Sequence, residues 1–237
     1  MNLFERVYNK YVDKSYSLQK QSYSQCGEDL IVNFLFHWVL KIKSPTYVDI
    51  GAHHPWYLNN TYLMYRNGSR GVNIEPDPTL FSSFPRFRKN DININKGVAF
   101  GNNSTVADFY VMSSRVLNTF SKEEAERISE NNEIRIDDIR PVELININEV
   151  FGQYFPDKEV DFLSIDVEGL DLAILNCIEF EKYKPKVICV ETIEYSEQRV
   201  IRKNIAIIDF LQSKDYFVYA DTSINTIFAR KDLFERL

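Results

Sequence analysis

The sequence predicts an α/β fold with a mostly parallel sheet and helices on both of its faces. The two strongest indications are residues 47–52 (YVDIGA) and residues 164–169 (SIDVEG). Each is a β-branched or apolar run that ends in an acidic residue and a glycine, as a buried parallel strand does where it delivers polar residues to its carboxyl edge. From residue 46 onward, predicted strands and helices alternate, which indicates crossover βα units.

The order of elements follows from apolar spacing and from turn residues. The predicted strands lie at residues 47–50, 71–74, 92–100, 107–112, 160–165, 187–190, 216–220 and 225–229. The predicted helices lie at residues 2–12, 28–41, 60–66, 79–89, 122–130, 171–177 and 201–212. The strand at 107–112 either extends the sheet or forms a small edge strand. The last two strands are joined by a polar turn, which predicts an antiparallel terminal hairpin.

A chain of 237 residues is long enough for one α/β domain and short for two. We therefore expect a single domain over residues 1–237, with a helical extension at 1–45 and the sheet core at 46–237. Apart from the helix predicted at 122–130, residues 113–145 are interpreted as an irregular polar insertion. Long insertions of this kind tend to be functional, so this one is the expected lid or substrate segment.

Composition excludes several classes of function. The net charge of −6 disfavours broad binding to nucleic acids or anionic membranes. The most apolar run, residues 30–42, is shorter than the roughly 20 residues of a membrane span, and the first residues lack a signal-peptide core. The three cysteines are far apart and have no metal-ligand spacing, which indicates a reduced, cytoplasmic protein. The basic run at residues 86–89 is interpreted as a solvated helix face.

The first predicted strand should hold a nucleoside cofactor, either a dinucleotide or S-adenosylmethionine. A pyrophosphate needs three glycines at the first turn, but Gly51 is followed by His53, His54 and Trp56. S-Adenosylmethionine has no phosphate, so one glycine suffices, and its α-ammonium favours an acid such as Asp49. The sequence therefore favours S-adenosylmethionine. Glu75 ends the second strand, where an acid pairs with the ribose hydroxyls of either cofactor.

Five segments together make the chain resemble the FkbM family of S-adenosylmethionine-dependent methyltransferases. They are residues 22–29 (SYSQCGED), 48–52 (VDIGA), 71–76 (GVNIEP), 164–169 (SIDVEG) and Asn225 in the last strand. The resemblance covers roughly residues 23–230. It implies a seven-stranded, Rossmann-like methyltransferase sheet.

The resemblance also implies roles for particular residues. Gln25 and Glu28 should close over the cofactor, Asp49 and Gly51 should flank its methionine part, and Glu75 should hold its ribose. Ala52, Pro76 and Asp166 complete the expected cofactor-binding set. The sequence departs from the family at residues 53–55 (HHP), where many members have Asn and then Gly.

Known members of the family methylate hydroxyl groups on sugars and polyketides, which implies an O-methyltransferase. A sugar or nucleotide-linked sugar acceptor, as used in polysaccharide biosynthesis, fits better than a polyketide because no large apolar acceptor surface is evident. Arg115 and Arg127 in the polar insertion are interpreted as surface residues rather than as ligands of a phosphate.

The sequence leaves two routes open for activating the acceptor hydroxyl. In the first, a side chain acts as general base, and the candidates are His53, His54, Asp166 and Glu168. In the second, a divalent cation such as Mg²⁺ lowers the pKa of the hydroxyl, held by Asp166, Glu168 and Glu191. The direct route is favoured over the metal, so chelation is not expected to stop the reaction.

Two other classes of function compete with the methyltransferase. An NAD-dependent sugar oxidoreductase would use the same sheet, but the missing glycines oppose it. A non-catalytic partner protein is opposed by the intact acids at every predicted site. The many aromatic residues also leave a homo-oligomer open.

Overall fold

The computed structural model describes residue 6 and residues 20–101, 105–130, 133–156, 158–195 and 201–235. The strands of these residues are β1 Tyr47–Ile50, β2 Gly71–Ile74, β3 Ile92–Ile94, β4 Gly97–Val98, β5 Val106–Met112, β6 Ile136–Ile145, β7 Phe162–Ile165, β8 Val187–Glu191, β9 Ile193–Tyr195, β10 Ile201–Lys203, β11 Tyr216–Asp221 and β12 Asn225–Arg230. The α-helices are α1 Glu28–Phe34, α2 Tyr62–Arg66, α3 Pro78–Phe81, α4 Phe84–Phe87, α5 Lys122–Ser129, α6 Ile147–Tyr154, α7 Asp171–Cys177 and α8 Ile205–Ser213.

Seven of these strands form one sheet in the order β3-β2-β1-β7-β8-β12-β11. Strand β12 is antiparallel to both of its neighbours, whereas the other neighbouring pairs are parallel. The predicted fold class is therefore confirmed, including the seven strands and the terminal antiparallel hairpin.

The strand order reverses at β1, and this reversal positions the site. The chain passes from β1 to β2 and β3 on one side and then continues with β7 and β8 on the other. Ile50, at the end of β1, pairs with Ile74 of β2 and with Ile165 of β7. The residues that follow these three strands therefore meet at one edge, where ligands of open α/β sheets bind.

Apolar layers cover both faces of the sheet because side chains alternate along each strand. Helices α6, α7 and α8 pack on one face, around buried Ile50 and Leu163. Helices α1 and α2 pack on the other, around buried Tyr47 and Phe162. The two layers fix the strands rigidly, so the polar residues beyond their carboxyl ends are held in place.

The insertion contains more strand than the sequence indicates. Its second half, interpreted as irregular, forms β6, which pairs with β4 and β5 in a separate three-stranded sheet. Pro141 and several charged residues within β6 hide its strand character. The strand predicted at 92–100 is correspondingly divided, because β3 stays in the main sheet while β4 joins the small one.

Three predicted helices are divided, shortened by more than two residues or changed in type. The helix predicted at 79–89 is divided into α3 and α4, because Pro85 has no N–H to continue the first of them. The helix predicted at 201–212 starts only at Ile205, where the side chain of Asn204 accepts the N–H of Ile207 as an N-cap. The helix predicted at 28–41 ends as an α-helix at Phe34 and continues as a π-helical turn over Leu35–Val39.

The amino-terminal extension is only partly described. Apart from Arg6, the helix predicted at 2–12 lies outside the described residues. Within the described ranges, no helix has both the length and the apolar character required to cross a bilayer.

Candidate active site

A deep cavity opens at the carboxyl ends of β1, β2 and β7. It encloses about 1130 Å³, including its open mouth. The predicted cofactor-binding residues that line it are Gln25, Gly51, Glu75, Pro76 and Asp166. Glu28, Asp49 and Ala52 are not part of its lining. The structure thus gathers most of the predicted set around one space.

One wall of this cavity is apolar. It includes Leu80, Val98, Phe109, Leu117 and Phe120, which come from α3, from the small sheet and from the segment after β5. An apolar wall with a few polar groups opposite is the usual setting for a flat heterocyclic ring. The insertion therefore contributes to the cavity, as expected for a functional segment.

Gly51 is required by the backbone at the end of β1. Its φ is +73°, and a Cβ atom there would lie 1.9 Å from the carbonyl oxygen of Asp166. The N–H groups of Gly51 and Ala52 both donate to the carbonyl oxygen of Ile74, at 3.0 and 3.1 Å. This glycine allows the turns after β1 and β7 to approach each other closely.

Glu75 lies at the end of β2 and is buried. Its two carboxylate oxygens accept the backbone N–H groups of His53 and Asp77, each at 2.8 Å. Burial raises the pKa of Glu75 to about 8, and the charges of Asp77 and Asp49 add to the effect. Each carboxylate oxygen has a second lone pair, so Glu75 can still accept a hydroxyl from the cavity.

A contact that the sequence did not indicate ties the insertion to the edge of the sheet. The buried carboxylate of Asp77 accepts hydrogen bonds from Arg115 and from the Nδ2 of Asn118, the latter at 3.0 Å. Asp77 also caps α3 by accepting the N–H of Thr79. Arg115, interpreted from the sequence as a surface residue, has a side chain that is 40% exposed and that also lines the cavity. No spacing in the sequence relates these residues, which are 38 positions apart.

The basic residues on the described wall of this cavity are already paired. Arg115 is paired with Asp77, and the Nζ of Lys96 lies 2.8 Å from Glu143. Neither cation is left to neutralise a phosphate. This arrangement disfavours a cofactor that carries a pyrophosphate.

Glu28 is fully buried behind Gln25 and joins the amino-terminal segment to the last strands. Its carboxylate accepts hydrogen bonds from Cys26 N, Thr222 Oγ1 and Asn225 Nδ2, at 2.8, 2.6 and 3.1 Å. Burial would raise its pKa, but these hydrogen bonds outweigh burial and keep the pKa below its usual value. Glu28 therefore positions the segment that carries Gln25.

Asp49 is held in a polar network beneath the first turn. Its Oδ2 accepts hydrogen bonds from Asn59 Nδ2 at 3.0 Å and from Thr61 Oγ1 at 2.8 Å. Burial raises the pKa of Asp49, although Thr61 and the nearby Arg88 oppose that rise. The structure thus gives Asp49 partners within the fold.

Arg88 is the centre of that network. The interpretation of residues 86–89 as a solvated helix face is wrong for this residue, which is 0% exposed. Its Nε lies 2.8 Å from Asp91, and its other nitrogens donate to Asn59, Thr61 and the hydroxyl of Tyr47.

The acids after β7 and β8 meet at the inner end of the cavity. Ligand atoms of Asp166, Glu168 and Glu191 all lie within 4.8 Å of one another. Burial raises the pKa of each carboxyl, and repulsion from neighbouring carboxylates raises it further. The sequence prediction that these three acids converge is confirmed.

A second, more polar cavity adjoins the first and shares Glu168 and Glu191 with it. It encloses about 870 Å³, including its mouth, and is also lined by Glu124, Arg127 and Asp171. Two cavities that meet at shared carboxylates can hold two ligands side by side. The interpretation of Arg127 as a surface residue fits its exposed side chain, which is paired with Glu124.

The two histidines after β1 lie in different environments. His53 lines the first cavity and has a positive φ of 54°. Burial lowers its pKa, as does the neighbouring His54, so the imidazole is neutral at physiological pH. The Nδ1 of His54 instead accepts the N–H groups of Trp56 and Tyr57, at 3.4 and 3.2 Å, and the ring packs against Trp56. Of the two, only His53 faces the cavity.

Comparison with known protein families shows the family of this chain. A family profile described as "Methyltransferase FkbM domain" matches residues 49–218, which is well over half of the chain. The chain belongs to the FkbM methyltransferase family. The resemblance noted from the sequence is therefore confirmed.

The matched region of this FkbM methyltransferase contains most of the site. It runs from Asp49 to Val218 and takes in every acid at the carboxyl ends of the parallel strands. Gln25 and Glu28 precede it, and Asn225 follows it. The contacts of Glu28 with Thr222 and Asn225 thus join two segments that flank the matched region.

No curated protein matches this FkbM methyltransferase significantly. Among solved structures, it is similar to a Pyrococcus horikoshii protein described as an RNA methyltransferase. The identity is 11%, the TM-score is 0.42, and the alignment covers 93% of this chain and 98% of the other. A likeness that weak supports no argument about substrate.

Proposed function

We propose that this protein is an S-adenosylmethionine-dependent O-methyltransferase that acts on a hydroxyl group of a sugar. One observation carries the proposal. One cavity opens where the strand order of the sheet reverses. Its described wall contains Glu75, placed at the end of β2 to bind a ribose, and Asp166, whose carboxylate after β7 has no partner. Both basic residues of that wall, Lys96 and Arg115, are already paired with acids. A nucleoside that carries a positive charge and no phosphate fits such a cavity.

The residues of the cavity fit S-adenosylmethionine part by part. Glu75 would accept ribose hydroxyls through the lone pairs that His53 and Asp77 leave open. The apolar wall around Phe109 and Phe120 would hold the adenine ring. The methionine part would lie over Gly51, toward Asp166, where negative charge favours the ammonium and sulfonium groups.

The acceptor would enter through the second cavity. That cavity is lined mainly by polar side chains, which suits a polyhydroxylated molecule better than an apolar one. On its described wall the acids outnumber the one basic residue, Arg127, and Glu124 already binds that residue by two hydrogen bonds. An uncharged sugar therefore suits this cavity better than one with a phosphate at that end.

When bound, S-adenosylmethionine supplies a methyl group already activated by its sulfonium. The chain must then align the acceptor oxygen and help to remove its proton. Asp166 is the best-placed residue for this, because it lines the cofactor cavity beside the two acids of the shared wall and has no hydrogen-bond partner among the described residues. His53 is the alternative base, since its neutral imidazole faces the same cavity.

Calorimetric titration with S-adenosylhomocysteine tests the proposal, with NAD as the control ligand. We expect micromolar binding of S-adenosylhomocysteine and no heat from NAD. Transfer of a labelled methyl group from S-adenosylmethionine to sugars with and without phosphate then tests the acceptor. Binding of NAD alone would contradict the proposal and favour the oxidoreductase.

A further inference from the structure

The wall that the two cavities share concentrates negative charge. Asp166, Glu168 and Glu191 are half-buried, and each presents a carboxylate oxygen within 4.8 Å of the others. Asp166 follows β7, Glu168 lies in the turn after it, and Glu191 ends β8. The neighbouring strands β7 and β8 therefore place the backbones of these residues close together at one edge of the sheet.

None of the three carboxylates has a hydrogen-bond or ion-pair partner among the residues that the structure describes. The basic residue on the wall of the second cavity is Arg127, and its Nε and Nη2 both bind Glu124. Elsewhere in the protein, buried acids such as Glu28 and Asp77 are fully partnered. Convergent carboxylates without a partner are costly unless they take up protons or a cation binds between them.

Asp171 gives a second, independent sign of a ligand. It is 4% exposed and lines the second cavity together with Glu168 and Glu191. Its Oδ1 is buried and has no hydrogen-bond partner. Orphaned buried oxygens are rare in folded proteins and usually indicate an ion or a water that completes them.

We propose that Asp166, Glu168 and Glu191 bind one divalent cation of the Mg²⁺ or Mn²⁺ type at the junction of the two cavities. Hard cations take oxygen ligands at about 2.0–2.6 Å, so two oxygens on one ion lie no more than about 5 Å apart. The three carboxylates meet that limit. Asp171, with its orphaned oxygen, lines the second cavity beside Glu168 and Glu191.

The role of this cation in catalysis rests on the proposed function, whereas its binding does not. An ion at the shared wall would touch a ligand in either cavity. It would orient the acceptor hydroxyl toward the cofactor and lower the pKa of that hydroxyl. This is the route that the sequence placed second, and the missing partners of the three acids now favour it.

Titration of the chelator-treated full chain with MnCl₂ tests the proposal. Binding is measured by calorimetry and by the loss of the electron paramagnetic resonance signal of free Mn²⁺. We expect one site per chain, and competition by MgCl₂. Glu191→Gln should weaken Mn²⁺ binding about tenfold or more, because it removes a ligand. The matched control is Glu126→Gln, an exposed acid on α5 that should leave binding unchanged.

The absence of Mn²⁺ binding up to millimolar concentration would overturn the proposal. So would binding that Glu191→Gln leaves unchanged. If Glu191→Gln does not fold, as judged by circular dichroism, Asp166→Asn provides the same comparison. Titration of the same sample with S-adenosylhomocysteine separates the two claims, because a protein that binds this ligand but no Mn²⁺ keeps the proposed function and loses the cation.

Discussion

Two groups of acids lie at the main sheet and have opposite surroundings. Beneath the first turn, Asp49 and Asp91 surround Arg88, which is fully buried and donates to both charged and neutral partners. Where the two cavities meet, Asp166 and Glu191 converge, and no basic residue of the described part of the chain pairs with them. Among the described residues, one group of acids thus has an internal counterion and the other has none.

The difference separates a structural acid from a functional one. A carboxylate that the fold requires is provided with its own donors, because an unpaired buried charge destabilises the folded state. A carboxylate that serves a ligand must leave its lone pairs open until that ligand arrives. Perturbed pKa values occur in both regions, so partners rather than pKa values distinguish them.

The largest expected effect comes from a substitution among the acids that have no partner where the two cavities meet. Asp166→Asn should lower the rate of methyl transfer by about 10²-fold or more, because the variant loses the charge that acts on the acceptor proton or holds the cation. The measurement is kcat with a sugar acceptor. S-Adenosylhomocysteine affinity, measured on the same variant, should fall by much less than kcat, because Gly51 and Glu75 still line the cofactor cavity. A variant with wild-type turnover would remove Asp166 from the mechanism.

A substitution in the group around Arg88 should instead lower the stability of the folded protein. Arg88→Met should lower the free energy of unfolding by about 3–5 kcal/mol, because it leaves buried acids without their counterion. Urea denaturation measures this change. The matched control is Arg86→Met, an exposed neighbour that should change stability by less than about 0.5 kcal/mol. Equal effects of the two substitutions would contradict the role given to Arg88.

Glu75 shares features of both groups, because backbone N–H groups donate to its carboxylate and it also lines the cavity. Below about pH 4.5 its carboxyl is protonated in both the folded and the unfolded chain. Between about 4.5 and about 8 the unfolded chain ionises first, so the free energy of unfolding should fall as pH rises through this window.

Melting temperature against pH, for the wild type and for Glu75→Gln, measures this effect of pH. The variant leaves one backbone N–H poorly paired, so it should melt lower than the wild type at the acidic end of the window. Its melting temperature should nevertheless fall less steeply across the window, because the ionising group is gone. Parallel curves for the two proteins would show that Glu75 does not titrate as described.

The sequence was sufficient for the parts of the fold that depend on local pattern. Strands β1 and β2 have the predicted bounds, because short apolar runs that end in a glycine or a polar turn have few alternatives. Strand β6 was missed because its charged residues and Pro141 resemble a loop, and only its pairing with β5 makes it a strand. Pairing of that kind depends on tertiary contact, which a single sequence does not show.

The same limit applies to the site. The convergence of Asp166, Glu168 and Glu191 could be predicted, because parallel strands end at one edge. The pairing of Asp77 with Arg115 and the burial of Arg88 could not, since both depend on where a distant segment folds back. The sequence thus indicates which residues lie at the edge, whereas the structure shows which of them already have partners.

The most direct test of the account is a crystal structure with Mn²⁺ and S-adenosylhomocysteine, with anomalous data collected at the manganese absorption edge. The account predicts S-adenosylhomocysteine over Gly51 and one anomalous peak between Asp166, Glu168 and Glu191, with none near Arg88. S-Adenosylhomocysteine bound without a peak at the three carboxylates would contradict the claim that unpartnered acids indicate a cation site.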